Sequence, residues 1–222
     1  MTDKAIIKEI FTSIQGEGPY IGYKQLFVRF CGCNLDCDYC DTDYKKKGSK
    51  EYSVEELVEI AKSNSDCHSI SLTGGEPLLN TGFLKEFLPQ CPLPVYLETN
   101  ATLAGELKEI IDYTDYVSAD IKLPSCAGIT AKWDEHDNFF ETAVQKKLFA
   151  KVVFDENITQ EEITKTCKLG AKYGIEIILQ PKMCENNFCV SKEFIEHILN
   201  KFLMHYKKVR LIPQVHKYLD VR

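Results

Sequence analysis

The sequence predicts an α/β fold, and specifically a partial, open (βα)6 barrel with an abbreviated helical cover. Short apolar runs alternate with segments of helical period along the whole chain. This alternation is typical of parallel strands joined by right-handed crossovers. Six βα units follow the first strand, too few for a closed eight-fold barrel. Because no linker, repeat or low-complexity segment interrupts the pattern, residues 1–222 are predicted to form one domain.

The individual elements follow from periodicity and capping residues. Apolar and alternating runs predict strands over 4–11, 24–30, 69–73, 94–98, 115–122, 149–154, 174–179 and 209–212. Helical periods predict helices over 83–88, 103–111, 137–148 and 194–206, the third with Phe139, Phe140, Ala143 and Val144 facing inward. Two further helices begin at capping boxes, Ser53 with Glu56 and Thr159 with Glu162.

Composition excludes several classes of protein. The chain has 222 residues, 44% of them hydrophobic, which is enough for a sizeable core. A formal net charge of −6 gives no reason to expect a nucleic-acid partner. No N-terminal signal is evident, and no apolar run approaches the roughly 20 residues of a membrane span. Ten cysteines then fit a reducing compartment, so we expect a cytoplasmic protein without membrane contact.

The most informative stretch follows the predicted strand 24–30. Cys33, Cys37 and Cys40 have the spacing C-x3-C-x2-C, and Cys31 precedes them. Three thiolates can hold three irons of a [4Fe–4S] cluster and leave the fourth iron open to the amine and carboxylate of a small molecule. A zinc site usually shows two paired arms, and a disulfide framework needs an oxidising compartment. These alternatives remain open, but the spacing favours the cluster.

Polar groups recur where predicted strands end. A Gly-Gly-Glu-Pro segment occupies 74–77, and polar residues follow later strands at 98–100, 120–122 and 180–183. Each segment alone would be an ordinary turn or polar cap. Functional groups of βα folds collect at this end of the strands, so their recurrence predicts one shared mouth. The polar loop at 12–19, with Gln15 and Glu17, is equally compatible with a simple hairpin connection.

The three-cysteine motif and the Gly-Gly-Glu-Pro segment together resemble the radical S-adenosylmethionine (SAM) superfamily. Further segments narrow the resemblance to the 7-carboxy-7-deazaguanine synthase family, and it covers essentially the whole chain. They lie at 15–18, 27–29, 40–42, 98–100 and 214–218. Two positions depart from the family pattern, Cys31 and Ala101, where small residues such as alanine and glycine respectively are common.

This resemblance implies an activity, its cofactors and its partners. The family converts 6-carboxy-5,6,7,8-tetrahydropterin to 7-carboxy-7-deazaguanine with loss of ammonia, a step toward queuosine and other 7-deazapurines. It implies a [4Fe–4S] cluster, SAM and Mg²⁺, with the cluster reducing SAM to a 5′-deoxyadenosyl radical that abstracts hydrogen from C6 of the pterin. A flavodoxin- or ferredoxin-type reductant is implied, and a homodimer stays open.

The resemblance also assigns residues to roles, position by position. It gives the cluster to Cys33, Cys37 and Cys40, Mg²⁺ to Thr42, and catalytic roles to Gln15 and Arg29. It assigns the binding of SAM to Tyr39, Cys40, Asp41, Gly75, Asp120, Ile121, Lys122, Gln180, Pro181, Lys182 and Met183. It assigns the binding of the substrate to Ile14, Gln15, Gly16, Arg29, Thr73 and Arg222. The guanidinium of Arg29 suits a substrate carboxylate, although it could instead only bias the charge of the cluster.

Two other functions remain as alternatives. A glycyl-radical-enzyme activase would share the three-cysteine motif but would act on a large protein and would not require Gln15 or Thr42. A cluster-bearing redox sensor or electron-transfer module would explain the cysteines alone. It would leave the polar groups at the other strand ends without a purpose.

Overall fold

The protein is described by a computed structural model that covers residues 4–40, 42–184 and 187–221. The described residues contain eleven strands, nine of them in one sheet. The strands are β1 Ala5–Ile14, β2 Lys24–Phe30, β3 Lys50–Tyr52, β4 Ser69–Gly74, β5 Val95–Thr99, β6 Tyr116–Asp120, β7 Lys147–Phe154, β8 Glu176–Pro181, β9 Met183–Cys184, β10 Asn187–Phe188 and β11 Val209–Leu211. The helices are α1 Val54–Ser63, α2 Thr81–Phe87, α3 Ala104–Lys108, α4 Pro124–Ala127, α5 Trp133–Ala143, α6 Gln160–Tyr173, α7 Lys192–His205 and α8 Val215–Leu219.

The sheet is a barrel that stops short of closing. Its order is β11-β8-β7-β6-β5-β4-β2-β1-β3, and every pair from β2 through β11 is parallel. Strand β1 returns antiparallel beside β2, and β3 pairs antiparallel with β1. Six βα units therefore run from β2 to β8, and β11 ends the series. The predicted partial, open (βα)6 barrel is confirmed, while one domain over 1–222 stays a prediction.

The two faces of this sheet differ in kind. Side chains alternate along each strand, so one set points outward beneath the helices and the other points into the barrel. The outward set is apolar and includes Leu26, Leu72, Leu97 and Phe154, which are buried in the main hydrophobic core. Strands whose outer faces are buried gain most of their stability from the apolar area that they remove from water. The inward set is mixed, and it divides into an aromatic floor and a polar mouth.

The aromatic floor fills the barrel near the start of its strands. Tyr96, Tyr116, Phe149 and Ile178 form a separate buried cluster, and Tyr20 packs edge-on against Tyr116 at a centroid distance of 4.7 Å. Tyr20 belongs to the β1–β2 connection, which therefore inserts into the barrel. Gly18 makes this possible: its φ is +67°, and a Cβ there would lie 2.7 Å from the Phe149 ring.

Several predicted boundaries were wrong. The helix predicted over 137–148 is α5 at Trp133–Ala143, and residues 147–148 already belong to β7. Val144 lies just past the helix end and is 43% exposed, so it does not face inward as predicted. The helix predicted over 103–111 shortens to α3. The three-residue edge strand β3 was not predicted, because its charged residues carry no strand pattern.

Other local predictions are confirmed. Both capping boxes are present, with Ser53 and Thr159 accepting from the backbone N–H groups of Glu56 and Glu162. Cys184 and Cys189 form a disulfide that joins β9 to β10, which the expectation of a reducing compartment did not predict. Within the described ranges, no helix combines the length and apolar character that crossing a membrane requires.

Candidate active site at the barrel mouth

A cavity of about 770 Å³ opens where the parallel strands end. It brings together most of the residues that the sequence singled out, from both ends of the chain. Its lining includes Ile14, Gln15, Gly16, Arg29, Cys33, Cys37, Tyr39, Cys40, Thr42, Thr73, Gly75, Asp120, Lys122, Gln180, Lys182 and Met183. The groups predicted for cluster, SAM and substrate therefore face one common space.

Among the described residues, two predicted ones do not contribute to this lining. Ile121 is 1% exposed and belongs to the outer hydrophobic core. Pro181 alternates with the inward Gln180 and is buried, so its ring points away from the cavity. Any contact of these two with a ligand would have to use their backbone groups. Asp41 and Arg222 lie outside the described residues.

The loop that carries Cys33, Cys37 and Cys40, here called the cysteine loop, is held against the end of β4 by backbone hydrogen bonds. Gly75 N–H donates to Phe30 O over 3.1 Å, and Glu76 N–H donates to Gly32 O over 2.9 Å. A Cβ at position 75 would overlap the Gly32 carbonyl, so only glycine permits this approach. Asp38 N–H donates to Ala127 O over 2.9 Å and fixes the far side of the loop. The loop is thus braced on both sides.

The three thiols lie at the cavity in half-buried or exposed positions. Burial raises the pKa of Cys37 to about 11 and also raises the pKa of Cys33. Metal ligation requires thiolates, so iron binding here releases protons. Within the described ranges no three His, Cys, Asp or Glu side chains converge on a single-ion site. A [4Fe–4S] cluster takes one thiolate for each of three irons, which matches the number of thiols at the cavity.

Glu76 of the Gly-Gly-Glu-Pro segment braces the mouth rather than facing into it. Its carboxylate is fully buried and accepts from Thr99 Oγ1 over 2.9 and 3.0 Å and from Asn100 N–H over 2.8 Å. Burial raises the pKa of Glu76 to about 7. These bonds tie the end of β4 to the end of β5. Asn100 in turn places its Nδ2 3.9 Å from Cys33 Sγ.

Uncharged hydrogen-bond donors surround the carboxylate of Glu98 at the mouth of the barrel. Gln15 Nε2 donates to Glu98 Oε1 over 2.8 Å, and Thr73 Oγ1 donates to Glu98 Oε2 over 3.0 Å. Ser71 Oγ also donates to Oε1 over 3.2 Å. Gln15 and Thr73, which the resemblance assigned to substrate, are therefore held by one carboxylate that the site prediction did not include.

Arg29 and Thr42 meet at the edge of the same cavity. Arg29 Nη1 donates to Thr42 Oγ1 over 3.3 Å, and Arg29 Nε lies 3.3 Å from Glu9 Oε2. The guanidinium is also 5.9 Å from the centroid of the Phe11 ring. It keeps further N–H donors, because a guanidinium has five. The Thr42 hydroxyl accepts from Arg29 and retains a lone pair for another partner.

Four charged side chains form a chain across the mouth. Lys151 donates to Glu17 and lies 3.2 Å from Asp120 Oδ1, while Lys122 donates to Asp120 Oδ2 over 2.7 Å. Burial alone would raise the pKa of Glu17, but the charge and hydrogen bond of Lys151 lower it to about 2. Burial would likewise lower the pKa of Lys151, and the carboxylates of Asp120 and Glu17 raise it instead. The carboxylate of Glu17 and the ammonium groups of Lys122 and Lys151 are therefore charged at neutral pH.

The C-terminal segment completes the wall of the cavity. Val215 N–H donates to Gly16 O over 2.8 Å, and Gln214 Nε2 donates to Glu17 Oε1 over 2.7 Å. His216 packs directly on Gly16, where any side chain would clash with it. Gly16 thus lies under helix α8.

The site prediction missed Glu17, Lys151, Glu98, Gln214 and His216. Lys151 carried a usable signal, because a lysine in the middle of an apolar strand requires a buried partner. Glu98 stood in one of the strand-end segments, and Glu17 stood beside Gln15. The partners themselves could not be read from the sequence.

Comparison with known proteins identifies the family. Residues 27–179 match the model of the Radical SAM superfamily. The chain is 37% identical to the 7-carboxy-7-deazaguanine synthase of Geobacter sulfurreducens over 97% of each chain. It is 35% identical to that of Archaeoglobus fulgidus, over 99% of this chain and 100% of the relative. The chain belongs to the 7-carboxy-7-deazaguanine synthase family. The crystal structure of QueE from Escherichia coli shares the fold, with a TM-score of 0.65 at 17% identity over 96% of this chain and 95% of that one.

Membership of the 7-carboxy-7-deazaguanine synthase family gives the cofactors of the chain: a [4Fe–4S] cluster, SAM and Mg²⁺. The cavity suits them chemically. Apart from Asp120 Oδ1, which is ion-paired with Lys151, two buried polar atoms in its lining, Tyr39 Oη and Gln180 Oε1, have no hydrogen-bond partner among the described residues. Buried polar groups are normally satisfied, so these two atoms are positioned to receive a bound molecule.

Proposed function

We propose that this protein is a 7-carboxy-7-deazaguanine synthase, which converts 6-carboxy-5,6,7,8-tetrahydropterin to 7-carboxy-7-deazaguanine with loss of ammonia. One observation carries the proposal: three thiols at cluster spacing and the polar groups matching the family's substrate positions line a single cavity. The chain also spans nearly the full length of relatives that bear this name. A redox sensor would need only the thiols.

The residues at the mouth have separate proposed roles. When bound, the cluster and SAM supply a 5′-deoxyadenosyl radical, and that chemistry belongs to the cofactors. Cys33, Cys37 and Cys40 are proposed to hold the cluster. Tyr39, Asp41, Gly75, Gln180 and the segments 120–122 and 181–183 are proposed to bind SAM. The enclosing barrel excludes water from the reacting groups.

The substrate end is proposed to use Arg29, Gln15, Thr73 and the β1–β2 loop. The guanidinium of Arg29 would pair with the substrate carboxylate, since its planar N–H donors match a carboxylate. Gln15 and Thr73, held by Glu98, would bind the pterin ring together with Ile14, Gly16 and the chain end at Arg222. Catalytic roles are proposed for Arg29 and Gln15, which would contact the substrate at the reacting centre.

The Thr42 hydroxyl is proposed as the protein ligand of Mg²⁺. Magnesium prefers oxygen ligands and keeps several waters, so one hydroxyl suffices when substrate oxygens complete the shell. We also propose that the chain works as a single domain over 1–222 in the cytoplasm. A flavodoxin- or ferredoxin-type protein would be its reductant, and a homodimer is compatible with the proposal.

Anaerobic reconstitution of the cluster followed by turnover tests the function. The protein is incubated with SAM, Mg²⁺, a chemical reductant and the tetrahydropterin, and products are identified by mass spectrometry. We expect 7-carboxy-7-deazaguanine and ammonia in equal amounts, and none when SAM is omitted. Cleavage of SAM with no change in the pterin would contradict the proposal and favour the activase alternative. An intact SAM pool in fully reconstituted protein would favour the redox sensor.

A further inference from the structure

Lys151 occupies a central position between the two halves of the mouth. Its ammonium bonds to Glu17 on one side and lies 3.2 Å from Asp120 on the other. The Lys151 side chain is 8% exposed, and those of Glu17 and Asp120 are each 18% exposed. A buried ammonium between two carboxylates is a built arrangement, because each charge would be costly to bury without the others.

The two carboxylates belong to different parts of the site. Glu17 follows Gln15 and Gly16, and its backbone N–H donates to Gln15 Oε1 over 3.0 Å. It also accepts from Gln214 over 2.7 Å and lies 3.4 Å from Gln180 Nε2. Asp120 ends β6 and bonds to Lys122, whose ammonium lies 5.3 Å from the centroid of the Tyr39 ring. One lysine thus joins the substrate loop to the SAM-facing strand and onward to the cluster loop.

We propose that Lys151 is a positioning residue that couples the binding of SAM to the binding of the pterin. This inference rests on the proposed function. A ligand that fixes Asp120 and Gln180 also fixes Lys151 and Glu17, and therefore orders the loop that carries Gln15 and Gly16. The second ligand then meets a loop that needs less ordering, so each ligand tightens the binding of the other.

An equilibrium measurement tests the coupling without turnover. Reconstituted holoenzyme is titrated with oxidised 6-carboxypterin, an unreactive analogue of the substrate, in the absence of reductant. The dissociation constant is measured by pterin fluorescence with and without saturating SAM. In the native protein we expect SAM to lower it by roughly 5- to 150-fold, the usual range for coupled sites. In Lys151→Met that ratio should fall several-fold, because only the 3.4 Å contact between Gln180 and Glu17 then links the two sides.

Two further variants separate coupling from general damage. Lys151→Arg keeps the charge between the two carboxylates and should restore part of the ratio. Lys147→Met changes a lysine at the start of the same strand, where it donates to Tyr116 Oη near the aromatic floor. That variant should keep the ratio of the native protein. A loss in Lys147→Met equal to that in Lys151→Met would overturn the proposal.

A double variant covers the case in which Lys151→Met fails to fold. Glu17→Gln with Lys151→Met removes both charges together, so no new unpaired carboxylate is left at position 17. It should lower the ratio at least as much as Lys151→Met does. A native ratio in either Lys151 variant that lacks the charge would refute the coupling while leaving the proposed function intact. Failure of the native holoenzyme to bind the pterin at all would refute the proposed function itself.

Discussion

The two faces of strand β4 differ although both are buried. Ile70 and Leu72 point outward and are fully buried beneath the helices, whereas Ser69, Ser71 and Thr73 point into the barrel. The outward residues belong to the main hydrophobic core. The inward residues each bond to another polar side chain, Ser69 to Gln25 and the other two to Glu98. Burial alone therefore does not say what a residue in this protein does, but the face it occupies does.

The difference is one of energetics. Outward residues stabilise the fold in proportion to the apolar area that they remove from water. An inward hydrogen bond contributes only about 1 kcal/mol net, because the unfolded chain bonds to water instead. The inward set therefore adds little to stability for each residue and serves to hold groups in position. Variants on the two faces should separate stability from function.

Cysteines give the largest expected contrast between mouth and outer core. Replacing Cys33, Cys37 or Cys40 by alanine should abolish cluster incorporation and all SAM cleavage, because each iron ligand is lost outright. Cys67→Ala, in the outer core, should keep both. Iron content and 5′-deoxyadenosine formation are the measurements. Loss of the cluster in Cys31→Ala but not in Cys33→Ala would show that the ligand assignment is wrong.

On the outer face, Leu72→Ala should lower the free energy of unfolding by about 2–5 kcal/mol, since it opens a cavity in a fully packed core. The folded fraction of Leu72→Ala should still cleave SAM. Met204→Ala is the matched control, because Met204 is 72% exposed and its loss should change stability by less than about 0.5 kcal/mol. Urea unfolding measures both, and equal effects would contradict the assignment of faces.

On the inner face, Arg29→Ala should weaken pterin binding by about 2–5 kcal/mol, because the substrate carboxylate loses its partner. SAM cleavage without product should survive, since the backbone hydrogen bonds that hold the cysteine loop do not involve the Arg29 side chain. Arg210→Ala removes a surface guanidinium paired with Glu176 and should leave the pterin KM unchanged. If Arg29→Ala lost SAM cleavage as well, the residue would have a structural role.

The four charged side chains at the mouth predict a stability effect that depends on pH. The folded pKa of Glu17, about 2, lies below its ordinary value of 4.5, so ionised Glu17 stabilises the fold at every pH above 4.5. That contribution, up to about 3 kcal/mol, should disappear as the pH falls from 4.5 toward 2. The native protein should exceed Glu17→Gln in urea resistance at pH 7 and lose most of that advantage near pH 3. An advantage independent of pH would remove Glu17 from the ion pair.

Thr42 gives the smallest expected effect. Thr42→Ala should reduce the stimulation of turnover by added Mg²⁺, by less than about 10-fold because waters and substrate supply the other ligands. Thr42→Ser keeps the hydroxyl and should retain most of the stimulation. A magnesium titration at fixed pterin concentration compares the three proteins. Identical titration curves for Thr42→Ala and the native protein would exclude Thr42 from the metal site.

The sequence predicted the fold where local signals were sufficient. The capping box of Thr159 and Glu162 set the start of α6 correctly, and apolar runs located every parallel strand. Helix α5 was misplaced because it begins after Lys132, which offers no side-chain cap. Strand β7 begins at Lys147 because that residue pairs with Tyr116 across the sheet. Pairing of this kind is a tertiary property that no local pattern carries.

The candidate site divides in the same way. Residues at strand ends could be grouped from the sequence, because parallel strands deliver their ends to one edge. The bond between Lys151 and Glu17 could not be predicted from the sequence, because 134 residues separate the two and the contact needs the β1–β2 loop inside the barrel. That insertion depends on Tyr20 packing on the aromatic floor. The sequence therefore indicated which strand ends meet, but not which side chains bind one another.

The contact between the β1–β2 loop and the C-terminal segment has a consequence for the order of assembly. Gln214 and Glu17 are 197 residues apart, and contacts of such separation form late because a long loop must close first. A ribosome releases the N-terminal part of the chain first. The cysteine loop and strands β2 to β8 can therefore assemble on a nascent chain before α8 exists. The wall that Gln214 and α8 add to the cavity is therefore completed later than the cysteine loop.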